Sequence, residues 1–200
     1  MDAYDRPLDH KQKFDLIGLL SPVTGISIFN NAEVAYEYAE KVMTGKFPAG
    51  EKAIASNPKT ALHYVFDFFD RRWPPGEAAI AKDPESATAY AREIIKDRWP
   101  EGEAAIASNS DTAYLYAMDV IKDRWPEGEP AIASNVTTSF FYVKNVIKGR
   151  FPEGEKAIAT IPHHALWYAM EVIKDRWPEG EKIIFSEPAT FNTYAQFIHN

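Results

Sequence analysis

The amino-acid sequence predicts an all-α protein, an α-solenoid of tandem two-helix repeats with a period of 26 residues. Three observations carry that expectation. An aromatic residue followed by proline recurs at Phe47-Pro48, Trp73-Pro74, Trp99-Pro100, Trp125-Pro126, Phe151-Pro152 and Trp177-Pro178 without a slip in spacing. In the same phase stand a tyrosine (Tyr38, Tyr64, Tyr90, Tyr116, Tyr142, Tyr168, Tyr194) and a glycine (Gly50, Gly76, Gly102, Gly128, Gly154, Gly180). Within each period the least variable positions, in the fourth Ala113, Tyr116, Ala117, Val120, Ile121 and Arg124, share one helical face. A fixed period of this length marks a repeat architecture.

Taken in order, residues 1–30 lie outside the period. Their apolar run Phe14-Asp15-Leu16-Ile17-Gly18-Leu19-Leu20 predicts a capping helix over the open apolar face of the first repeat. Six full repeats follow, 31–56, 57–82, 83–108, 109–134, 135–160 and 161–186, then a half repeat, 187–200. Each repeat opens on a leading helix. Asn31, Asn57, Asp83, Asn109 and Asn135 stand at its N-cap, and Pro58, Pro84, Pro162 and Pro188 follow a cap position, where the missing N–H costs nothing. This helix is expected to run about fourteen residues and to stop at the aromatic-proline pair, because a residue before proline is pushed out of the α region.

A trailing helix of about two turns then begins, as in Pro126-Glu127-Gly128-Glu129-Pro130-Ala131-Ile132-Ala133, with proline in the first turn and glutamates at the positive end of the helix dipole. Such a unit cannot bury its own apolar stripe, so stability has to come from stacking repeats into an elongated body. Trp and Phe are expected to fill the junctions, while Ala117, Gly128 and their equivalents let neighbouring helices approach. The end of the array departs from the pattern at Phe185, Phe191 and Phe197, and the helix of the half repeat is expected to cover the last full repeat with extra aromatic surface.

Composition removes several functions. No cysteine is present, so disulfides, thiolate metal sites and cysteine nucleophiles are excluded. A formal net charge of −7 works against phosphate binding over the whole surface. No apolar run reaches membrane-spanning length, and Met1-Asp2-Ala3-Tyr4-Asp5 lacks the basic opening of a signal peptide. A soluble cytoplasmic protein is the expectation.

The segment Tyr116-Ala117-Met118-Asp119-Val120-Ile121-Lys122-Asp123-Arg124-Trp125-Pro126-Glu127-Gly128-Glu129 resembles a short tandem helical repeat met in predicted proteins of bacteriophages and large DNA viruses. The resemblance covers residues 31–200; repeat two departs from it at Phe68-Phe69-Asp70-Arg71. It implies a viral chain working in the host cytoplasm, an interaction protein that modulates or inhibits a host (defence) protein. It brings no catalytic or binding residues with it, and the step from family to role is analogy.

Residue chemistry agrees with a non-enzyme. There is no phosphate-cradling glycine loop, no H-E-x-x-H and no G-x-S-x-G, and no cofactor is expected. His163-His164 could ligate a metal, but adjacent helical residues point about 100° apart and no third ligand is evident. Glu127 and Glu129 could pose as paired carboxylates; dipole compensation and contact with Arg124 account for them as well. The column Lys96, Lys122, Lys148 and Lys174 could track a phosphate backbone, yet Glu93, Asp119 and Glu171 precede it and Asp97, Asp123 and Asp175 follow. A salt-bridged solvent face is the competing account, and it disfavours nucleic acid.

Repeated columns report what a fold needs, so departures toward large apolar groups on the outer face mark a candidate binding site. The outward column reads Glu37, His63, Ala89, Leu115, Phe141, Trp167 and Thr193, and the column three residues on reads Glu40, Phe66, Arg92, Met118, Lys144, Met170 and Gln196. Leu115, Met118, Phe141, Trp167 and Met170 thus form a candidate patch over repeats four to six, flanked by Tyr114, Phe140 and Leu166. Two readings stand: a surface for a foreign protein or a second copy of the chain, or side chains that pack internally. A structural or virion-associated component, or a nucleic-acid-binding repeat protein, is the alternative role.

Overall fold

A computed structural model describes residues 9–24, 27 and 29–199 of the chain; the opening Met1-Asp2-Ala3-Tyr4-Asp5 lies outside them. Among the described residues every regular element is helical, as the repeat pattern requires. The chain forms two compact units, Met1–Ile95 and Lys96–Asn200, the boundary falling between the two helices of repeat three.

In the first unit the capping segment is the helix His10–Thr24, whose Phe14 is buried and meets the Tyr38 ring edge-on at 5.2 Å. The leading helices are Ala32–Tyr38, Pro58–Phe68 and Pro84–Tyr90; the trailing ones are Pro48–Gly50 with Glu51–Ile54, and Pro74–Ile80. In the second unit the leading helices are Ser110–Tyr116, Val136–Tyr142, Pro162–Tyr168 and Pro188–His199. Its trailing helices are Pro100–Ile106, Glu129–Ala133, Pro152–Ile158 and Pro178–Ile184. Here the helices lie in two layers. Ser110–Tyr116 packs on its own trailing helix Glu129–Ala133 and on the neighbouring leading helix Val136–Tyr142, while Glu129–Ala133 packs on Pro152–Ile158.

The caps follow the sequence. Asn109 accepts hydrogen bonds from the N–H of Asp111 and Thr112, and Asn135 from those of Thr137 and Thr138, which satisfies orphan donors of the first turn. A threonine one turn later adds a tie: Thr112 and Thr138 donate from Oγ1 to the carbonyls of Ile106 and Ile132, fastening each leading helix to the trailing helix before it.

Leading helices end earlier than the aromatic-proline rule predicts. After seven α-helical residues, Ser110–Tyr116 widens into a π turn, Ala117–Ile121, and stops at Lys122, which adopts a left-handed conformation with φ of 60°. Its N–H donates to the carbonyl of Ala117 at 2.7 Å, closing the wide turn. Thr44, Lys96, Lys148 and Lys174 share that conformation. The lysine column therefore ends helices, with the aliphatic stem leading to an exposed ammonium. In repeat two, where Asp70 takes this place, Pro58–Phe68 has no π turn and ends at an extended Phe69.

The junctions are aromatic, as expected. Trp99, Trp125 and Trp177 are each 1% exposed and Phe151 is fully buried, burial worth about 4–6 kcal/mol per tryptophan. The glycine column serves this ring directly. A Cβ on Gly128 would lie 2.4 Å from the Trp125 ring and 3.1 Å from the Ala113 Cβ, so glycine lets the indole fold back over its own trailing helix. The short distance to Ala113, on the leading helix, agrees with the expected close approach of helices, and the room for the indole adds a second role.

One polar cluster recurs along the array, complete with its arginine from repeat two onward and without it at Phe47, Tyr64 and Glu51. The Tyr116 ring lies 4.8 Å from the Trp125 ring of its own repeat, while its hydroxyl reaches back one repeat. There it accepts a hydrogen bond from the Trp99 N–H at 2.8 Å and donates to Glu103 at 2.9 Å, and Arg98 binds that carboxylate with two N–H groups. Tyr142 does the same with Trp125, Glu129 and Arg124, and Tyr168 with Phe151, Glu155 and Arg150. The N–H of the aromatic residue sits at a bend before proline where no helical carbonyl is in register, so the tyrosine hydroxyl satisfies a buried donor.

Candidate functional site

The recurring carboxylates separate into two roles. Glu103, Glu129, Glu155 and Glu181 belong to the junction clusters, whereas Glu101, Glu127, Glu153 and Glu179 are exposed. A hydrogen bond from Arg98 holds Glu103 below the usual carboxylate range against the opposing effect of burial, and Tyr116 adds to it. At Glu129 burial pushes upward, and the Arg124 and Tyr142 hydrogen bonds outweigh it. A carboxylate fixed in its charged form by three donors cements the array and is a poor proton shuttle. Among the described residues, no group of three or more His, Asp or Glu is placed to hold a metal ion. His163 instead lies 3.3 Å from Glu187.

The apolar departures come together on the leading helices of the second unit. Tyr114 lies 6.4 Å from Phe141, Phe141 5.4 Å from Phe140, and Phe140 packs edge-on against Trp167 at 4.9 Å. These four rings form a row across repeats four, five and six. Phe141 is 40% exposed, Trp167 is half-buried, and Leu115, Met118, Leu166 and Met170 are half-buried on the same helices. The Tyr114 hydroxyl accepts from Asn145 at 2.7 Å and lies 3.1 Å from the Met118 sulfur.

Phe140 corrects the expected geometry. It is 9% exposed, because the flanking column does not face solvent: it faces the outward column of the next repeat, 27 residues on. Tyr36 meets His63 in the same register, at 5.9 Å, as do Tyr114 with Phe141 and Phe140 with Trp167. Packing between leading helices thus accounts for Phe140 and for one face of Trp167. The outer edge of the row, Phe141 above all, stays open.

Two residues of the row escaped sequence reasoning. His164 stacks flat on Phe140, with centroids 4.2 Å apart and planes at 13°, and Lys144 places its ammonium 5.9 Å from the Phe140 ring and 6.0 Å from the Trp167 ring. A readable signal existed for the histidine. It stands in the column of Thr60, Thr112, Thr138 and Thr190, each of which ties its leading helix to a carbonyl of the preceding repeat. His164 makes no such tie; burial and the neighbouring His163 lower its pKa, so the neutral ring is the form that stacks. Repeat six also replaces the N-cap by Ile161, which makes no side-chain cap. Two stabilising devices are missing where the aromatic row is built.

Compared with known protein families, curated proteins and solved structures, the chain matches no family model, no curated protein and no solved structure. Among the described residues, no helix is long and apolar enough to cross a membrane.

Proposed function

We propose that this protein is a non-enzymatic helical-repeat scaffold that binds a partner protein through the outer edge of the aromatic row on repeats four to six. One observation carries the reading: four aromatic rings join into a row across three successive leading helices, and its Phe141 is 40% open to solvent, whereas Phe66, equally exposed in repeat two, belongs to no such row. Large rigid rings with adaptable Met and Leu neighbours are the composition of interface hot spots. The local loss of the N-cap and of the threonine tie in repeat six supports it, since departures from the rules of stability concentrate where function is carried. The viral setting and a host defence protein as target rest on the repeat motif alone.

The test is affinity capture by immobilised protein from a host-cell extract, with the wild type set against a Phe141→Ala, Trp167→Ala variant. A protein retained by the wild type and lost from the variant is the expected result. Identical captured sets would overturn the assignment of this face, and co-purification with assembled particles would favour the structural role.

A further inference from the structure

The charge around the row names the chemistry of what binds it. The leading segment of repeat five, residues 136–149, carries Lys144 and Lys148 and no acidic residue. Its counterpart in repeat four has Asp111, Asp119 and Asp123 against Lys122, and that in repeat six has Glu171 and Asp175 against Lys174. Both acidic columns are vacated in repeat five, where Asn145 replaces the first and Gly149 the second. The one leading segment with a net positive charge in a chain of net charge −7 is therefore the one that bears Phe141. Lys144 and Lys148 are both exposed, and neither is within ion-pair distance of a carboxylate among the described residues.

We infer that the row accepts an acidic amphipathic segment of the partner protein, with apolar residues seated on Phe141 and Trp167 and Asp or Glu residues meeting Lys144 and Lys148. This rests on the reading of the face as a docking surface and adds the partner's charge to it. Recognition of an amphipathic segment by apolar anchors with a charged rim is a recurrent mode, in which the rim sets selectivity. The same charge argues against the other occupants. An isologous pair of copies centred on repeat five would bring Lys144 and Lys148 of both chains together. A polynucleotide needs positive charge along its whole track, whereas the acidic residues of repeats four and six begin one helix away on either side, about 8–10 Å.

The test uses the full chain and fluorescein-labelled amphipathic peptides with identical Leu and Phe positions, one carrying Glu and the other Lys at the remaining positions. Unlabelled oligothymidylate serves as competitor. Anisotropy is read near 0.15 M salt, where the Debye length of about 8 Å screens the overall negative charge. The inference expects the Glu peptide to bind about tenfold more tightly than the Lys peptide and a Lys144→Glu, Lys148→Glu variant to abolish that preference. Phe141→Ala should weaken both peptides. Preference for the Lys peptide, or none, with binding still lost in Phe141→Ala would overturn the charge assignment and leave the docking surface standing. Peptide binding indifferent to Phe141→Ala, or no saturable binding of either peptide, would overturn both. Displacement of the Glu peptide by oligothymidylate would overturn the inference in favour of a phosphate polymer.

Discussion

Tyr142→Phe is the sharpest probe of how repeats hold together, because it removes one oxygen from a side chain that is fully buried. That oxygen accepts from the Trp125 N–H at 2.8 Å and donates to Glu129 at 2.9 Å. Without it the Trp125 N–H, in a residue 1% exposed, loses its acceptor, and Glu129, 7% exposed, keeps only Arg124. A stranded buried donor costs about 1–3 kcal/mol and a lost hydrogen bond to a charged group a comparable amount, so about 3 kcal/mol is expected for the pair. For a chain of this length that lowers the thermal midpoint by about 6–12 °C. The assay is melting followed by circular dichroism, with Tyr114→Phe as control. The Tyr114 hydroxyl is half-buried and accepts from an exposed Asn145, so its removal should cost about 1 kcal/mol or less. A Tyr142→Phe protein within half a kcal/mol of wild type, or equal to Tyr114→Phe, would refute the reasoning.

Three further outcomes are expected. Trp125→Ala should cost about 3–5 kcal/mol by cavity formation, whereas Trp125→Phe should cost less than about 1.5 kcal/mol. Phenylalanine already serves in this column at Phe47 and Phe151, and the buried Trp125 indole N–H has no acceptor among the described residues to lose; urea denaturation compares the two variants. Ile161→Asn should restore the missing N-cap and raise stability by about 1 kcal/mol, read as a higher urea midpoint at unchanged slope. Melting temperature against pH should fall on both sides of a neutral plateau. Glu77, Glu103, Glu129 and Glu181 are held below their ordinary values, so their stabilisation is complete above the unfolded value of about 4.3 and is lost as pH falls toward the folded ones. Burial pushes Tyr64 up to about 12 and also raises Tyr90, Tyr116, Tyr142 and Tyr168, so their contribution is complete below pH about 10 and is lost as pH rises toward the folded values. A midpoint unchanged between pH 9 and 11.5 would contradict this, both values being chosen about the ordinary tyrosine pKa.

Much of the fold is legible because each column samples one environment six times. Asn109 and Asn135 announce caps, Ala113 with Tyr116 and Ala117 announces a buried stripe, and Trp125-Pro126 announces a break, all from local rules. The Arg124–Glu129 contact was legible too, being only five residues apart. What lies across a junction was not. Tyr142 finds Trp125 seventeen residues back and Glu129 thirteen back, and only the stacking of repeats turns those separations into hydrogen bonds. The left-handed Lys122 was hidden by its identity, since lysine carries none of the usual preference for that conformation that glycine or asparagine shows. At the candidate site, the apolar drift of the outward column was visible, but the 27-residue register that buries Phe140 beneath Trp167 depends on how leading helices pack.

Residues 141 and 142 stand side by side on one helix and divide the account between them. Affinity for the acidic peptide and melting temperature should therefore be measured together for Phe141→Ala and Tyr142→Phe, with binding read well below either midpoint. Phe141→Ala is expected to weaken binding by about thirtyfold, the scale of a hot-spot truncation, while costing only about 1–1.5 kcal/mol of stability for the part of the ring that is buried. Tyr142→Phe is expected to do the reverse, lowering the midpoint and leaving affinity intact. If Phe141→Ala melts as early as Tyr142→Phe, or binds the peptide as wild type does, the aromatic row is part of the packed core and the docking surface assigned here is wrong.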